Sequence, residues 1–399
     1  MKRDVYLDNN ATTMVAPEVF DAMLPFLKNR YGNASSMHSF GGNVAKDLER
    51  ARHQVAELLG AENDYEITFT GSATESDNLA IRGITSYFKD KRHVITSKVE
   101  HPAVINLCKQ LEKEGYRVTY IPVNSDGIVD LQQLKDSVTD DTAVVSVMHA
   151  NNETGVIMPV EEIGAFLKDR GVIFHIDGVQ AIGKIPIDVK KLNCDLYSIS
   201  AHKFHGPKGV GALYVKRGSR MRPLIFGGHQ EKGRRPGTEN TAGIIGIGAA
   251  AELALVHLKD MGHIEALRDK LQSSILKTIK TSTVNGLNAP RMVNTLNVSF
   301  EFIEGESILL YLDKEGVYVS TGSACSSGSL EPSHVLRAMN IPFSKIHGSI
   351  RFSLSRYTTE DEIDYTLQVL PNVINSLLKI SPFWDNEKQE GKVEGLVRS

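Results

Sequence analysis

The chain has 399 residues, of which 41% are hydrophobic and 23% are charged. This composition is typical of a globular protein whose core needs no disulfide or metal for support. The formal net charge is −3, and a balance so close to neutral gives no electrostatic basis for binding nucleic acid or an anionic membrane. At roughly 150 residues per domain, the length predicts about two or three domains.

The cysteines and the apolar stretches indicate the cellular compartment of the protein. Cys108, Cys194 and Cys325 are too far apart for a CxxC motif, and a low, odd number of cysteines is typical of a reducing environment. The N-terminal MKRDVYLDNNATT lacks the apolar centre of a signal peptide. The most apolar stretch, 242–256, is shorter than the roughly 18 residues of a membrane-spanning helix. We therefore expect a cytoplasmic protein with no membrane partner and no direct nucleic-acid binding.

Short β-branched runs alternate with helical patterns after a first helix that begins at Pro17. The alternation predicts a mostly parallel seven-stranded sheet with helices on both faces. The last two strands are joined too briefly for a helical crossover, so one of them should run antiparallel. The predicted strands are 66–70, 93–97, 117–121, 143–147, 172–176, 195–200 and 210–215, and the predicted helices between them are 75–89, 103–114, 131–137 and 160–169.

The pattern changes after about residue 260 and is then typical of a smaller α+β domain. We expect a large domain at 16–260, a small domain formed by 1–15 and 261–380, and a charged tail at 381–399 that is mobile at its end. The predicted elements of the small domain are helices at 264–279, 306–314 and 360–378 and strands at 295–300 and 349–354.

Polar residues follow several of the predicted strands, at the sheet edge where parallel α/β proteins bind ligands. GSATE follows the first strand and opens a helix, and free N–H groups at such a helix start can hold a phosphate. Thr74 is equally well explained as the N-cap of that helix. Asp177 follows the fifth strand and Lys203 follows the sixth. An acid and a lysine there form either a buried ion pair or the two anchors of pyridoxal phosphate, which needs a Schiff-base lysine and a carboxylate on its ring nitrogen.

Cys325 lies in TGSACSSGS, a segment too rich in Ser and Gly to bury well. A lone cysteine is usually a small buried hydrophobe, and we interpret Cys108 and Cys194 in that way. An exposed thiol on a loop instead suits a nucleophile that meets a substrate and then carries a product away.

Eight segments together resemble the NifS/IscS-type cysteine desulfurases of the aminotransferase class V group, which are fold-type I enzymes dependent on pyridoxal 5′-phosphate. The resemblance extends from about residue 5 to about residue 382 and implies a large domain with a mostly parallel seven-stranded sheet plus a smaller α+β domain. It also implies conversion of L-cysteine to L-alanine, with the sulfur carried as a persulfide on Cys325. The segments are YLDNNATT, ATESDNLA, EHPAV, NNETG, SAHKFHGPKG, GRRPGTEN, GSACSSGSLEPSHVLRA and SIRFSLSRYTTEDEID.

The resemblance implies a role for each residue around the cofactor ring. Lys203 forms the Schiff base and then shuttles protons. Asp177 keeps the pyridine nitrogen protonated, so that the ring withdraws electrons. His101 stacks on the ring and assists proton transfer. Gln180 and Asn152 contact the ring hydroxyl oxygen.

The resemblance also implies a phosphate site, a substrate site and partners. Thr238 of a neighbouring subunit reaches the phosphate, so the protein is a homodimer. Arg351, with Asn152, binds the substrate carboxylate. The sulfur acceptor is an iron–sulfur scaffold protein of the IscU or NifU type. The residues that hold the phosphate within one chain are Ala73, Thr74, Ser200 and His202.

Other interpretations remain open for single residues and for the activity. His101 can cap the helix that follows it, Asn151 competes for the role of its neighbour, and Arg351 can pair with a structural carboxylate such as Glu360 or Asp361. A selenocysteine lyase, an aminotransferase and a catalytically silent subunit are the alternative functions.

Overall fold

The computed structural model describes residues 3–321, 332–385, 387–388 and 390–392. Its strands are β1 (Val5–Tyr6), β2 (Ile67–Thr70), β3 (His93–Ser97), β4 (Arg117–Ile121), β5 (Thr142–Met148), β6 (Ile173–Asp177), β7 (Leu196–Ser200), β8 (Gly211–Val215), β9 (Ser282–Val284), β10 (Thr295–Phe300), β11 (Val317–Tyr318), β12 (Ser349–Ser353), β13 (Trp384–Asp385) and β14 (Glu390–Gly391). Its helices are α1 (Pro17–Lys28), α2 (Ser39–Leu59), α3 (Ala73–Tyr87), α4 (Pro102–Lys113), α5 (Leu131–Ser137), α6 (Val160–Leu167), α7 (Thr241–His257), α8 (Met261–Thr278), α9 (Gly305–Lys314), α10 (His334–Ala338), α11 (Phe343–Ile346) and α12 (Glu360–Ile380).

The predicted mostly parallel, seven-stranded sheet is confirmed, with the strand order β2-β8-β7-β6-β5-β3-β4. The pairs from β4 through β3, β5 and β6 to β7 are parallel, and β8 runs antiparallel to both β7 and β2. The antiparallel strand is therefore β8, the second of the two strands for which the sequence left the direction open. Every residue of β5 and β7 is buried, because helices cover both faces of the sheet.

Helix α2 is absent from the predicted elements although it is 21 residues long. Its sequence is rich in charged residues, and only one face, which includes Val44, Leu48 and Val55, is buried. That face packs against α7. It ends at Gly60, whose left-handed φ of 64° forms the C-cap.

Helix α7 is apolar on nearly all sides because it packs against both α1 and α2. The helical stretch Thr241–Thr278 is long and apolar enough to cross a membrane by length and composition, which differs from the expectation based on 242–256 alone. However, 56% of its most apolar window is buried inside the protein. Packing within the core therefore accounts for its composition.

The C-terminal part of the chain contains a second, antiparallel sheet in the order β12-β10-β9. Strand β1 pairs with β11, and Val5 and Leu7 join an apolar cluster whose other members lie between residues 264 and 384. The N-terminal segment thus packs with the C-terminal part, although the predicted domain bounds stay a prediction. Strands β13 and β14 pair within the predicted tail, and residues 393–399 lie outside the described chain.

Candidate active site

A cavity of about 290 Å³ lies at the carboxyl ends of β6 and β7. Strand β6 ends at Asp177, and β7 ends at Ser200 and continues into a short 3-10 turn that carries Lys203. Because the strands are neighbours, their ends present these side chains to the same space. The predicted site residues that line the cavity are Ala73, Thr74, His101, Asn152, Asp177, Gln180, Ser200, His202, Lys203 and Arg351.

Lys203 is held by the N-terminal segment. Its Nζ donates to the carbonyl oxygens of Asn10 (2.6 Å) and Ala11 (2.9 Å). Both residues also line the cavity, but the sequence reasoning did not select them. The feature of the sequence that could have identified them was their place in the YLDNNATT segment. The lysine that the resemblance assigns to the cofactor is thus anchored by backbone oxygens almost two hundred residues away.

Asp177 is buried, and one of its carboxylate oxygens accepts the N–H of Val179 at 3.1 Å. Burial raises the pKa of Asp177 to about 6, while the Val179 N–H and the positive charge of Lys203 act in the opposite direction. A carboxylate that has lost most of its water is stabilised by a cationic N–H placed against it. A protonated pyridine nitrogen is such a group.

His101 both caps a helix and lines the cavity, so the two interpretations of this residue are compatible. Its Nδ1 accepts the backbone N–H of Ala103 at 3.1 Å at the start of α4. Burial, the charge of Lys203 and the charge of His334 lower the pKa of His101 to about 4. The ring is therefore neutral at pH 7, and its single proton is on Nε2 because Nδ1 is an acceptor.

The helix start that was predicted to hold a phosphate is present, but Ser72 is its N-cap rather than Thr74. The Ser72 side chain accepts the N–H of Glu75 at 3.2 Å, and Thr74 lies within the first turn, beside the cavity. Free N–H groups and the dipole of this 15-residue helix favour an anion. His202 faces the same cavity, with its Nδ1 3.1 Å from the hydroxyl of Thr12.

The structure distinguishes Asn151 from Asn152. The side-chain oxygen of Asn151 accepts the N–H groups of Glu153 and Thr154 and is fully used in a buried turn. Asn152 lines the cavity, and its backbone oxygen accepts from Arg351 Nη1 at 3.0 Å. Asn151 is therefore a turn residue, and its neighbour faces the ligand space.

Arg351 lies on β12 and is only 3% exposed. Its carboxylate partner is Asp8, whose Oδ1 lies 2.6 Å from Nη2, and not Glu360 or Asp361. Glu360 pairs with Lys270 instead. Two of the five N–H groups of the guanidinium bond Asp8 and Asn152, and within the described chain its Nε is buried without a hydrogen-bond partner.

Thr238 is exposed and does not line the cavity of its own chain. Its loop is fixed by two ion pairs, Arg52 with Glu231 (2.7 Å) and Arg235 with Glu75 (2.8 Å). The second pair ties the loop to the first turn of α3. A contact of Thr238 with the phosphate of a neighbouring subunit stays a prediction.

The structure describes two of the three cysteines, and both are buried as the sequence predicted. Cys108 and Cys194 are buried free thiols, and burial raises the pKa of Cys108 to about 12. Both are therefore protonated packing residues. Cys325 lies outside the described residues.

Comparison with known proteins agrees with this geometry. Residues 5–366 match the family described as Aminotransferase class-V. The chain is 56% identical to "Cysteine desulfurase 2" of Trichormus variabilis over 98% of this chain and 99% of that protein. It is 53% identical to "Cysteine desulfurase NifS" of Azotobacter vinelandii over 96% and 95% of the two chains. A solved structure described as a NifS-like protein matches with a TM-score of 0.88 at 41% identity, covering 94% of this chain and all of that one. The chain belongs to the aminotransferase class-V family, among the NifS-type cysteine desulfurases, whose cofactor is pyridoxal 5′-phosphate.

Proposed function

We propose that this chain is a cysteine desulfurase that converts L-cysteine to L-alanine and passes the sulfur on through a persulfide at Cys325. One observation carries the proposal. A lysine and a buried acid from adjacent strand ends share a single cavity with a buried arginine, and these are Lys203, Asp177 and Arg351. This set combines a cofactor anchor with a carboxylate receptor.

Pyridoxal 5′-phosphate, when bound, supplies an electron sink for the carbanion of an amino acid. The residues present fit it. Asp177 offers a buried carboxylate to the ring nitrogen, and Lys203 offers an amine. The N-terminus of α3, Ser200 and His202 offer donors to the phosphate.

Arg351 orients the substrate. Its two terminal nitrogens each bond one protein oxygen, that of Asp8 or the backbone oxygen of Asn152, and each carries a second N–H for the carboxylate of L-cysteine. A guanidinium held in one orientation binds a carboxylate with defined geometry. Because Lys203 lines the same cavity as Arg351, a substrate held by its carboxylate shares that space with the lysine.

Proton transfer falls to Lys203 and His101. Lys203 Nζ takes the proton from the substrate Cα, which a general base can do once the amine is neutral. The hydrogen that His101 can donate is on Nε2, because its Nδ1 accepts the backbone N–H of Ala103. The low pKa of His101, about 4, keeps that group a neutral donor across the physiological range.

The sulfur step uses Cys325. Its segment begins just after Ser320, whose backbone pairs with that of Arg351 at the cavity wall. Cys325 follows Ser320 by five residues, and five residues of chain span at most about 18 Å. The Cys325 thiolate attacks the substrate sulfur, a sulfur–sulfur bond forms and the carbon–sulfur bond breaks. The bonding electron pair remains on the substrate carbon, which takes up a proton and leaves as L-alanine.

The test is alanine formation from L-cysteine by the purified holoenzyme. We expect turnover by the wild type, almost none by Cys325→Ser, and near wild-type activity from Cys194→Ala, the control at a buried thiol. Alanine from Cys325→Ser at the wild-type rate would contradict the sulfur step and favour a lyase reaction that breaks the carbon–sulfur bond without Cys325. No alanine from either protein would contradict the function itself.

We also propose a second copy of this chain and an iron–sulfur scaffold protein of the IscU or NifU type as partners. Large apolar side chains are exposed on α1, on the segment that joins α1 to α2 and on the loop before Thr238, including Phe20, Tyr31, Met37 and Phe226. Such a surface supports homodimer formation, which sedimentation of the purified protein tests.

We also propose a cytoplasmic location. The buried free thiols Cys108 and Cys194 support a reducing compartment.

A further inference from the structure

A buried lysine that the reaction above does not use lies beside the cofactor pocket. Lys184 is 8% exposed and follows Gln180 by four residues in the hydrogen-bonded turns after β6. The two side chains are in direct contact. Lys184 Nζ donates to Gln180 Oε1 at 2.9 Å and lies 3.5 Å from Asn10 Oδ1. In the described chain, these two hydrogen-bond acceptors of a buried ammonium are both amide oxygens.

The contact determines how the Gln180 amide is oriented. In its ammonium form, Lys184 only donates hydrogen bonds, so it favours the amide with its oxygen toward Nζ and disfavours the flipped amide, which would place N–H groups against it. Gln180 Nε2 then donates one hydrogen to the backbone oxygen of Asn10 at 3.0 Å. Its second N–H is the group that Gln180 can offer to the cavity that it lines.

Lys184 is also close to the reactive lysine. Lys184 and Lys203 both line a second, small cavity of about 30 Å³. Lys203 Nζ donates to the same Asn10 oxygen that receives Gln180 Nε2. Burial and then the charges of Lys203 and Arg351 lower the pKa of Lys184 to about 7. The buried lysine is thus costly for the fold, which suits a role in the site better than a role in stability.

We propose that Lys184 is a positioning residue that fixes the Gln180 amide so that Nε2 donates toward the ring hydroxyl oxygen of the cofactor. The inference rests on the proposed function, because the cofactor contact of Gln180 is part of it. Lys184 touches neither the substrate nor the reacting atoms in this role. It acts through Gln180, and its effect should vanish when the amide is removed.

The test is a double-mutant cycle on the full-length protein with Lys184→Met and Gln180→Leu. The readouts are the Kd of pyridoxal 5′-phosphate for the cofactor-free protein and the visible absorption band of the bound cofactor. We expect Lys184→Met to weaken cofactor binding about fivefold to tenfold, the effect of one hydrogen bond, and to shift the band. In the Gln180→Leu background, the same change should have less than about a twofold effect.

Equal effects of Lys184→Met in both backgrounds, or no effect in either, would overturn the inference. If Lys184→Met does not fold, as judged by circular dichroism and thermal melting, Lys184→Gln enters the same cycle, because it removes the charge but keeps a polar side chain. A wild-type protein that binds no pyridoxal 5′-phosphate would instead contradict the proposed function. The two failures are therefore distinguishable.

Discussion

The two sides of the active-site cavity are built in different ways. On the cofactor side, Asp177 and Lys203 come from the ends of neighbouring parallel strands and are placed by the strands that precede them. On the substrate side, Arg351 meets Asp8 and Asn152, which are 343 and 199 residues away in the sequence. One side therefore follows from local strand and turn geometry, and the other depends on long-range pairing.

This difference predicts that substitutions on the two sides have different effects on activity. The cofactor side carries the chemistry whatever amino acid is bound, so its loss should remove both activity and the cofactor spectrum. The substrate side binds one carboxylate, so its loss should change KM and leave the spectrum intact. Three substitutions separate the two sides, and their expected effects decrease in the order given.

Lys203→Ala should have the largest effect, a loss of kcat of about a thousandfold or more, because among the described residues Lys203 is the lysine that lines the main cavity and can form the covalent link and move the Cα proton. Pyridoxal 5′-phosphate should no longer be fixed to the protein by borohydride reduction. The control is Lys208→Ala, an exposed lysine of the same loop, which should leave both properties unchanged. Covalent cofactor retained in Lys203→Ala and lost in Lys208→Ala would place the Schiff-base lysine at residue 208.

Arg351→Ala should raise the KM for L-cysteine about tenfold to a hundredfold, because truncation of a buried, hydrogen-bonded charge removes the carboxylate receptor. The visible absorption of the bound cofactor should stay that of the wild type, since Arg351 contacts Asp8 and Asn152 rather than the cofactor anchors. Steady-state kinetics and an absorption spectrum of the same sample check both points. An unchanged KM would remove Arg351 from the substrate site.

The cofactor side was largely predictable from the sequence. β-branched runs give the strands, and the polar residue at each strand end then becomes a candidate, which is how Asp177 and Lys203 were selected. The short connection between the last two strands predicted that one of them runs antiparallel, and the structure identifies it as β8. Helix α2 was missed although Val44, Leu48 and Val55 recur at helical spacing, because many charged residues separate them.

The substrate side could not be derived in this way. Asp8 belongs to a short segment that joins the second sheet through a bridge to Ser353, and no local pattern encodes that bridge. For the same reason, Asn10 and Lys184 were not selected as site residues. Asn151 and Asn152 look alike in sequence, and only the buried turn formed by the first shows which one faces the cavity.

Asp8→Asn should have the smallest effect and tests whether Asp8 acts by charge or by position. The Asp8 carboxylate neutralises part of the Arg351 charge at 2.6 Å, whereas asparagine keeps an acceptor oxygen without the charge. The guanidinium then attracts the substrate carboxylate more strongly, so KM for L-cysteine should fall about twofold to fivefold, the size expected for one partly exposed ion pair. Asp4→Asn is the matched control, because Asp4 lies on the same segment but accepts from Tyr318 instead. A rise in KM for Asp8→Asn alone would show that the carboxylate acts mainly by holding Arg351 in place.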